Sequence, residues 1–363
     1  MYKTLVRPIL DHLDSEKWHK NVKELLHYSE YSPVSLKALE LFANCSNRVN
    51  DKRLNVNLGG IELENPLVVG AGWDKTGRAV KALYTIGFAG VEVGSVLEHP
   101  QYGNPKPRQH MINSEVCLNW LGFNSPGMET VSENLRSYKD SNIPVGISLG
   151  INKYVNEKDA PRSHAAVAER LYNAASYFAI NVSSPNTPGL RKLQNREQLE
   201  DIVKAVMEVT KNKEIKKPIF VKIAPELSYD LIDDVIKLVL DFGISGIIAT
   251  NSTNNPSIRS KYGEKWLNKP GGLSGNDYEY KKLSTRIISH IYKQAGNKLE
   301  IIGVGGINDA ESAIEKLRAG AKALQIVTGL RGEGLSIVSN INKGLLKFIK
   351  IKGLNYISDL TGN

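Results

Sequence analysis

The chain has 363 residues, which suffices for one barrel domain of about 250 residues with an appendage of about 50 to 60. Hydrophobic residues make up 41% and charged residues 23%, as is ordinary for a globular protein, and no apolar run of about 18 residues predicts a membrane-spanning helix. The net charge of +9 would suit nucleic acid, an anionic membrane surface or small anions. Because the basic residues are scattered, without a Lys/Arg block, nucleic-acid binding stays only an alternative.

Residues 1–44 are predicted to form a helical extension. One face of a first helix carries hydrophobic side chains at helical spacing, namely Trp18, Val22, Leu25 and Leu26. Pro33 opens a second, short apolar helix with Val34, Leu36, Ala38, Leu39, Leu41 and Phe42. Such a helix belongs either to the core or to a bilayer interface. The residues favour the core.

Residues 45–65 are predicted to form a linker and then a hairpin at the bottom of the main domain. The polar stretch 44–55 has the composition of a linker. Gly59 and Gly60 then stand between two alternating segments, Val56-Asn57-Leu58 and Ile61-Glu62-Leu63. Two residues that both tolerate positive φ suit a tight hairpin.

Residues 66–363 alternate between strands and helices. Short apolar runs, typical of parallel strands covered on both faces, predict strands at 66–71, 90–96, 144–150, 177–183, 218–224, 246–251, 300–305 and 323–328. Helical stripes separate them, among them Leu199, Ile202, Val203 and Val206, and Ile232, Val235, Ile236 and Val239. Eight such units favour an α/β fold of the (β/α)₈ (TIM) barrel type over an open doubly wound sheet.

One connection is unusually long. Residues 97–143 separate the second and third predicted strands, where a single helix would need roughly half that length. Long excursions at the C-terminal face of a barrel usually serve function. We therefore expect this segment to contribute to a site.

The C-terminal ends of the predicted strands are where a barrel places its catalytic groups. Here these ends carry small, hydroxylic, amide and lysine side chains, including Lys75, Ser95, Ser148, Asn181, Lys222, Asn251 and Thr328. No cluster of His, Cys and carboxylates predicts a metal site, and no pair of carboxylates predicts glycoside hydrolysis. Amides and hydroxyls suit a flat polar ligand, whereas lysines suit anions.

The last two strand ends predict a phosphate site. Gly303-Val-Gly-Gly306 is followed by Asn308, which with Glu311 predicts the N-terminal cap of a helix. Thr328-Gly329 stands at the end of the neighbouring strand. Phosphate binds at this position in many barrels, because backbone N–H groups and a helix N-terminus point at it.

The segment Asn181-Val-Ser-Ser-Pro-Asn-Thr-Pro-Gly-Leu-Arg191 is more specific, because it resembles the active-site loop of class 2, quinone-using dihydroorotate dehydrogenases. Further matches to that family follow in order along the barrel: Gly70-Ala-Gly-Trp-Asp-Lys75, Gly103-Asn-Pro-Lys-Pro-Arg108, Asn119-Trp-Leu-Gly-Phe-Asn124, Val221-Lys-Ile-Ala-Pro225, Ala249-Thr-Asn251, Gly271-Gly-Leu-Ser-Gly275 and Ile302-Gly-Val-Gly-Gly-Ile307. The N-terminal extension with His19 also resembles this class.

The resemblance implies oxidation of dihydroorotate to orotate in pyrimidine synthesis, with hydride passing to FMN and electrons then to a quinone. Ser184 matches the catalytic base, which needs a relay and charge-stabilising neighbours because a serine hydroxyl is a poor base at neutral pH. Lys222 is expected to lie against the flavin ring.

The same resemblance implies two sets of binding residues. Those expected to contact the substrate are Lys75, Asn119, Trp120, Leu121, Gly122, Phe123, Asn181, Asn186, Asn251 and Ser252. Those expected to contact FMN are Ala71, Gly72, Lys75, Ser95, Ser148, Asn181, Lys222, Thr250, Gly275, Gly306, Thr328 and Gly329. Cys117, close to Asn119 in the chain, is interpreted as an incidental loop cysteine.

Three positions depart from the family pattern. Ser148 stands where asparagine is usual, which predicts a shorter or water-mediated hydrogen bond to the flavin or substrate ring. Met111 stands where an arginine usually lines the quinone entrance, with His110 as a candidate replacement. Val327 replaces a common aromatic. The quinone assignment therefore rests on less than the dihydroorotate assignment.

The extension is expected to form a hydrophobic mouth for the quinone, in peripheral contact with the cytoplasmic side of the cell membrane. With two cysteines, Cys45 and Cys117, and no secretory signal, the chain is otherwise expected to be cytoplasmic. One alternative is a related flavin barrel that acts on another pyrimidine or uses a different acceptor. The other is the basic nucleic-acid-binding protein.

Overall fold

The computed structural model describes residues 2–43, 49, 51–187, 189–211 and 213–363, so Cys45 and part of the predicted linker lie outside it. Its strands are β1 (Val56–Leu58), β2 (Ile61–Leu63), β3 (Leu67–Val69), β4 (Gly90–Val96), β5 (Gln109–Met111), β6 (Val116–Asn119), β7 (Val145–Leu149), β8 (Tyr177–Asn181), β9 (Ile219–Ile223), β10 (Gly246–Ala249), β11 (Gly272–Gly275), β12 (Glu300–Val304) and β13 (Ala323–Ile326).

The α-helices are α1 (Arg7–Asp11), α2 (Ser15–Ser29), α3 (Pro33–Phe42), α4 (Val80–Thr85), α5 (Met128–Leu135), α6 (Ala160–Leu171), α7 (Arg196–Lys211), α8 (Tyr229–Phe242), α9 (Pro256–Arg259), α10 (Glu264–Leu267), α11 (Tyr278–Ala295), α12 (Ala310–Arg318), α13 (Thr328–Glu333) and α14 (Ile337–Lys352). A short π-helical turn, Tyr2–Val6, precedes α1.

Eight parallel strands close into a barrel in the order β3-β4-β7-β8-β9-β10-β12-β13. The last strand pairs with the first, with Leu324 opposite Leu67 and Ile326 opposite Val69, so the sheet has no open edge. All eight predicted strands are confirmed, and the barrel prevails over the open sheet. The carboxyl ends of all eight strands therefore meet at one mouth.

The predicted helical stripes are the faces that pack against the barrel. Leu199, Ile202, Val203 and Val206 of α7 are fully buried, and so are the corresponding residues of α8. Burying such a side chain stabilises the fold by about 1.5 to 3 kcal/mol. These repeated contacts hold the strands, and hence their carboxyl ends, in fixed positions.

The predicted hairpin is present at the opposite end of the barrel. Strands β1 and β2 pair antiparallel, with Leu58 opposite Ile61 across the two glycines. Gly59 and Gly60 have φ angles of 59° and 89°, which fit a type I′ turn. The Gly59 N–H donates to Glu300 Oε2 at 2.6 Å. The hairpin thus covers the amino-terminal end of the barrel strands, away from the mouth.

Helix α12, beside the predicted phosphate site, begins one residue later than the sequence indicates. The N-cap is Asp309, not Asn308, and its side chain accepts from the Ser312 N–H at 2.8 Å. Ser312, not Glu311, closes the capping box. Asp309 and Ser312 have the three-residue spacing that the motif requires. Asn308 and Glu311 have the same spacing, but the capping box forms at Asp309 and Ser312.

The long excursion, residues 97–143, contributes a small antiparallel sheet that the sequence did not predict. Strands β5 and β6 form a hairpin, and β6 also pairs with β11 from the opposite side of the barrel. An isolated bridge between Thr253 and Leu273 ties this sheet to the loop after β10. The excursion therefore covers the barrel mouth.

The N-terminal extension forms α1, α2 and α3, and its apolar residues are only partly buried. Leu26 and Leu39 face the barrel, whereas Leu25 is 69% exposed although it was predicted on the same apolar face as Leu26. The core interpretation of α3 is wrong for Val34 and Phe42, which are about four-fifths exposed, and also for Leu41. Each helix touches the barrel along one narrow row, which leaves the remaining apolar side chains facing outward.

In the part of the chain that the structure describes, no helix has both the length and the apolar character needed to cross a membrane.

Candidate active site

A cavity at the barrel mouth brings together all but two of the predicted site residues. Its lining includes Ala71, Gly72, Lys75, Ser95, Asn119, Leu121, Gly122, Phe123, Asn181, Ser184, Asn186, Lys222, Thr250, Asn251, Ser252, Gly275, Gly306, Thr328 and Gly329. These residues come from strand ends, from the covering sheet and from loops that are distant in sequence. Their convergence follows from barrel closure.

The two exceptions are Trp120 and Ser148. Trp120 follows β6 but does not line the cavity; its backbone is held by Arg108 and Asn104 of the excursion. Ser148 is fully buried behind the wall, where its hydroxyl lies 2.8 Å from Ser95 Oγ. Ser95 in turn accepts a hydrogen bond from Asn181 Nδ2 at 2.8 Å. Because serine is shorter than asparagine, Ser148 supports a lining residue instead of reaching the cavity.

Asparagine side chains form a connected amide cluster on one wall. Asn181 and Asn251 are linked through the Ser183 hydroxyl, which donates to Asn181 Oδ1 at 2.9 Å and accepts from Asn251 Nδ2 at 3.0 Å. On the facing side, Asn186 Nδ2 donates to Asn119 Oδ1 at 3.0 Å. These contacts hold each amide in one orientation.

Two of the cavity amides keep buried acceptors without partners. Asn186 Oδ1 and Asn124 Oδ1 are buried, and neither accepts a hydrogen bond from any described residue. A buried acceptor without a partner costs about 1 to 3 kcal/mol. A ligand that carries N–H donors would satisfy these acceptors.

Ser184 lies on the loop that leaves β8 and is buried within the cavity. Within the described residues, its Oγ has one hydrogen bond, which it accepts from the Asn186 N–H at 3.2 Å. No carboxylate or imidazole in the described part of the chain therefore assists Ser184 directly. Any proton that Ser184 accepts must leave through a ligand or a water relay.

Lys75 stands on the loop after β3, and a buried carboxylate organises this loop. Asp74 accepts hydrogen bonds from the backbone N–H groups of Thr76, Gly77 and Ala79. Lys75 Nζ donates to the Gly72 carbonyl at 2.7 Å. Burial, reinforced by the nearby charge of Lys23, lowers the pKa of Lys75 to about 8. The loop thus presents to an anion a cation that titrates near neutral pH.

Lys222 extends from β9 into the barrel interior, where it meets a buried carboxylate. Its Nζ lies 3.9 Å from Glu92 Oε1, and both side chains are almost completely buried. Tyr177 and Gln325 donate to the other oxygen, Glu92 Oε2, at 2.9 and 2.6 Å. Burial lowers the pKa of Lys222, whereas Glu92 opposes that shift. Lys222 therefore places its amino group at the floor of the cavity, with the Glu92 carboxylate beside it.

The far end of the cavity has the features of a phosphate and flavin site. Gly305 and Gly306 adopt φ angles of 117° and 70°, and the first residues of α13, Thr328 and Gly329, lie beside them. Near the other end, Gly72 has no heavy atom within 4 Å of where a Cβ would stand. Glycine backbone at both ends allows a flat ring and its phosphate to approach closely. The residues present therefore fit FMN.

The outer mouth of the cavity lies between the N-terminal extension and the covering sheet. His19 Nε2 lies 2.7 Å from the Trp73 carbonyl, and burial lowers the pKa of His19 to about 3, so its ring is neutral. Met111 and Cys117 also line the cavity. Burial raises the pKa of Cys117 to about 12, which keeps it a thiol and unreactive. It lies in strand β6 and not in a loop.

Several lining residues were missing from the prediction. Asn124 ends one of the matched motifs, so its amide was a detectable signal, whereas Tyr280 on α11 and Arg331 on α13 stand in no motif. The Tyr280 hydroxyl donates to the Asn251 carbonyl at 3.0 Å. His110, the candidate replacement for the missing arginine, is not among the lining residues.

Fold and cavity together define a class: a (β/α)₈-barrel enzyme with a glycine-lined cavity end suited to phosphate, an amide-lined pocket and a buried lysine. The family model described as dihydroorotate dehydrogenase matches residues 53–349. The chain belongs to the dihydroorotate dehydrogenase family.

Individual relatives agree with this assignment. A protein of Natronomonas pharaonis named dihydroorotate dehydrogenase (quinone) is 38% identical over 361 residues, covering 99% of this chain and 98% of the relative. One of Christiangramia forsetii with the same name is 36% identical, covering 96% and 99%. Among solved structures, DHODH from Eimeria tenella in complex with ferulenol has a TM-score of 0.86 at 30% identity, covering 97% of this chain and 96% of that one.

Proposed function

We propose that this chain oxidises dihydroorotate to orotate in pyrimidine synthesis, with FMN as its cofactor and a quinone as the final electron acceptor. The observation that carries the proposal is the convergence of Ser184, the amide cluster and Lys222 in one cavity that ends at a phosphate site. The quinone-dependent names of its relatives support the acceptor. Anaerobic mixing with dihydroorotate tests the proposal, because it must reduce the bound flavin.

The side chains that line the cavity have separate roles in this reaction. Lys75 pairs with the substrate carboxylate, while the unpartnered oxygens of Asn186 and Asn124 accept from the ring N–H groups. This arrangement fixes the ring beside Ser184, whose Oγ removes the proton from one ring carbon. Bound FMN supplies the two-electron acceptor for the neighbouring carbon. Neutral amides suit this pocket because they cost little when water is excluded.

The assigned FMN contacts follow the cavity from ring to phosphate. Ala71, Gly72 and Lys222 stand at the ring end, and Gly306 with Thr328 stands at the phosphate end. The hydroxyls of Thr328 and Ser274 lie 2.9 Å apart, which holds the Thr328 side chain in place. One phosphate-binding end supports a mononucleotide. Acid extraction followed by mass measurement identifies the flavin.

Substrate binding is expected to weaken above a pH of about 8. The pKa of Lys75 is lowered to about 8, so the free enzyme loses this cation as the pH rises through that value, and the substrate carboxylate loses its partner. The KM for dihydroorotate should then rise by about tenfold per pH unit. Steady-state kinetics from a pH of about 6 to about 10 measure this dependence.

Two variants separate this explanation from a general effect of alkaline pH. Lys75→Met should raise the KM at neutral pH and abolish its rise above pH of about 8. Lys23→Met removes a neighbouring cation that lowers the pKa of Lys75, so the rise should begin at higher pH. An unchanged profile in Lys75→Met would exclude Lys75 as the carboxylate partner.

We propose that residues 1–44 form the quinone mouth and contact a membrane surface peripherally, while 45–65 and 66–363 form the linker with its hairpin and the barrel. Exposed apolar side chains support this division, because Leu5, Ile9, Leu25, Val34 and Phe42 are all at least 60% exposed. A monomer rarely exposes so many large apolar residues in one short segment. The lipid interior is also where a quinone resides.

Phe42→Asp is expected to weaken binding to phospholipid vesicles by about 10- to 100-fold, because one buried aromatic ring contributes about 1.5 to 3 kcal/mol. Vesicle co-sedimentation measures the change. Ile351→Asp is the matched control, since Ile351 is 68% exposed on α14, outside the extension. Equal binding by the two variants would argue against a membrane-facing extension.

A further inference from the structure

Arg331 is a buried cation whose hydrogen-bonding capacity is only partly used. It stands on α13, is 8% exposed and lines the outer mouth of the cavity. Its Nη2 donates to the Leu10 carbonyl at 3.0 Å and lies 3.7 Å from Asp11 Oδ1. Nε and Nη1 are buried, and neither has a hydrogen-bond partner among the described residues.

Two buried N–H donors on a charged group without acceptors are costly, because burial removes their hydrogen bonds to water. Such a cost is usual where a ligand supplies the missing acceptor. A large aromatic side chain completes the setting: the Trp18 ring lies 4.9 Å from the Arg331 guanidinium. The mouth therefore combines a flat apolar wall with donor nitrogens that lack acceptors, which suits a planar ring bearing a carbonyl oxygen.

The covering sheet lacks the donor that the family pattern leads one to expect. Met111 on β5 stands where an arginine is usual, and it pairs in register with Cys117 of β6. Both side chains line the same mouth as Arg331. The chain thus has an apolar methionine on the covering sheet and, lining the same cavity, an arginine on α13 with two unpartnered nitrogens.

We propose that Arg331 donates from one of its two unpartnered nitrogens, Nε or Nη1, to the carbonyl oxygen of the quinone acceptor and so replaces the arginine absent at position 111. This inference rests on the proposed function only for the identity of the acceptor. Arg331 is a specificity-determining residue of the oxidative half-reaction and has no part in dihydroorotate oxidation. The acceptor ring lies against Trp18, between α2 and α13.

The test reduces the bound flavin with dithionite and then mixes the full-length holoenzyme with a short-chain ubiquinone. Arg331→Met should raise the quinone concentration needed for half-maximal reoxidation by about 10- to 100-fold. Arg331→Lys should recover part of the loss, and Met111→Arg combined with Arg331→Met should recover most of it. Because dithionite replaces dihydroorotate, this result is independent of the substrate assignment.

Arg7→Met is the matched control for a merely structural role. Arg7 also joins the extension to α13, through the Gly332 carbonyl at 3.0 Å, but its guanidinium is already paired with Glu115. It should leave quinone affinity nearly unchanged. The proposal is overturned if Arg331→Met reoxidises like wild type, or if Arg7→Met weakens quinone use equally. A wild type that dihydroorotate fails to reduce would overturn only the proposed function.

Discussion

Replacing Ser184 with alanine is expected to slow reduction of the flavin by dihydroorotate by about 100- to 10,000-fold, the usual contribution of a positioned base. Ser184 Oγ accepts one hydrogen bond, from the Asn186 N–H, which holds it facing the cavity. Alanine removes the proton acceptor and leaves the amide cluster in place, so substrate affinity should change little. Rapid mixing under anaerobic conditions measures both the rate and its dependence on substrate concentration.

Ser184→Cys is the informative companion to this variant. A thiol ionises more readily than a hydroxyl, so the cysteine variant should retain more activity than the alanine variant. As the pH is raised, its activity should begin to increase at a lower pH than that of the wild type. Orotate binding to the oxidised protein, monitored through the flavin absorbance, shows whether each variant keeps an intact binding site. Wild-type reduction rates in Ser184→Ala would remove Ser184 from the catalytic role.

Lys222→Met is expected to lower the free energy of unfolding by about 3 to 5 kcal/mol, because it leaves a buried carboxylate without its cation. Glu92 is completely buried, and the ammonium group of Lys222 lies 3.9 Å from its Oε1. The hydrogen bonds from Tyr177 and Gln325 reach only the other oxygen, so they do not replace the lost charge. Denaturant unfolding of the apoprotein measures the loss.

The double variant Glu92→Gln with Lys222→Met shows whether the loss of stability comes from the unpaired buried charge or from altered packing. It removes both charges and should regain most of the stability that Lys222→Met loses. Flavin content provides a second measurement, since both variants lack the cation at the cavity floor and should bind FMN more weakly than wild type. If the double variant were as unstable as Lys222→Met, the stabilising role of the ion pair would be refuted.

The barrel could be predicted because each strand is a short Val- and Ile-rich run followed by a helical stripe, as in 219–223 and α8. Closure then placed the strand ends together, so residues as distant in sequence as Lys75 and Thr328 could be assigned to one cavity. Their roles came from motif resemblance and remain predictions for the experiments above. The geometry explains why the resemblance extends over the whole barrel.

Features that depend on tertiary partners were not predictable. Strand β11, Gly272–Gly275, has two glycines and becomes a strand only because β6 pairs with it. The apolar spacing in α3 indicated a hydrophobic face but not what covers it, and Phe42 proved to be exposed. The position of Ser148 was not predictable either, because it depends on a tertiary contact: its short side chain reaches Ser95 and not the cavity.

Arg331 was missed for a different reason. Helix α13 is short, and nothing in its sequence distinguishes an arginine that forms a surface ion pair from one that faces a cavity. The departure at Met111 signalled that a donor was absent but not where a replacement would stand. Only the packing of Trp18 and α1 against α13 shows that the Arg331 guanidinium faces the mouth.

Dihydroorotate is expected to deliver electrons to a flavin held in this cavity. The most direct measurement is anaerobic titration of the purified holoenzyme with dihydroorotate while oxidised-flavin absorbance and orotate are followed together. We expect the flavin to bleach, one orotate to form per flavin, and a quinone then to restore the absorbance. Flavin that stays oxidised in the presence of excess dihydroorotate would contradict this expectation.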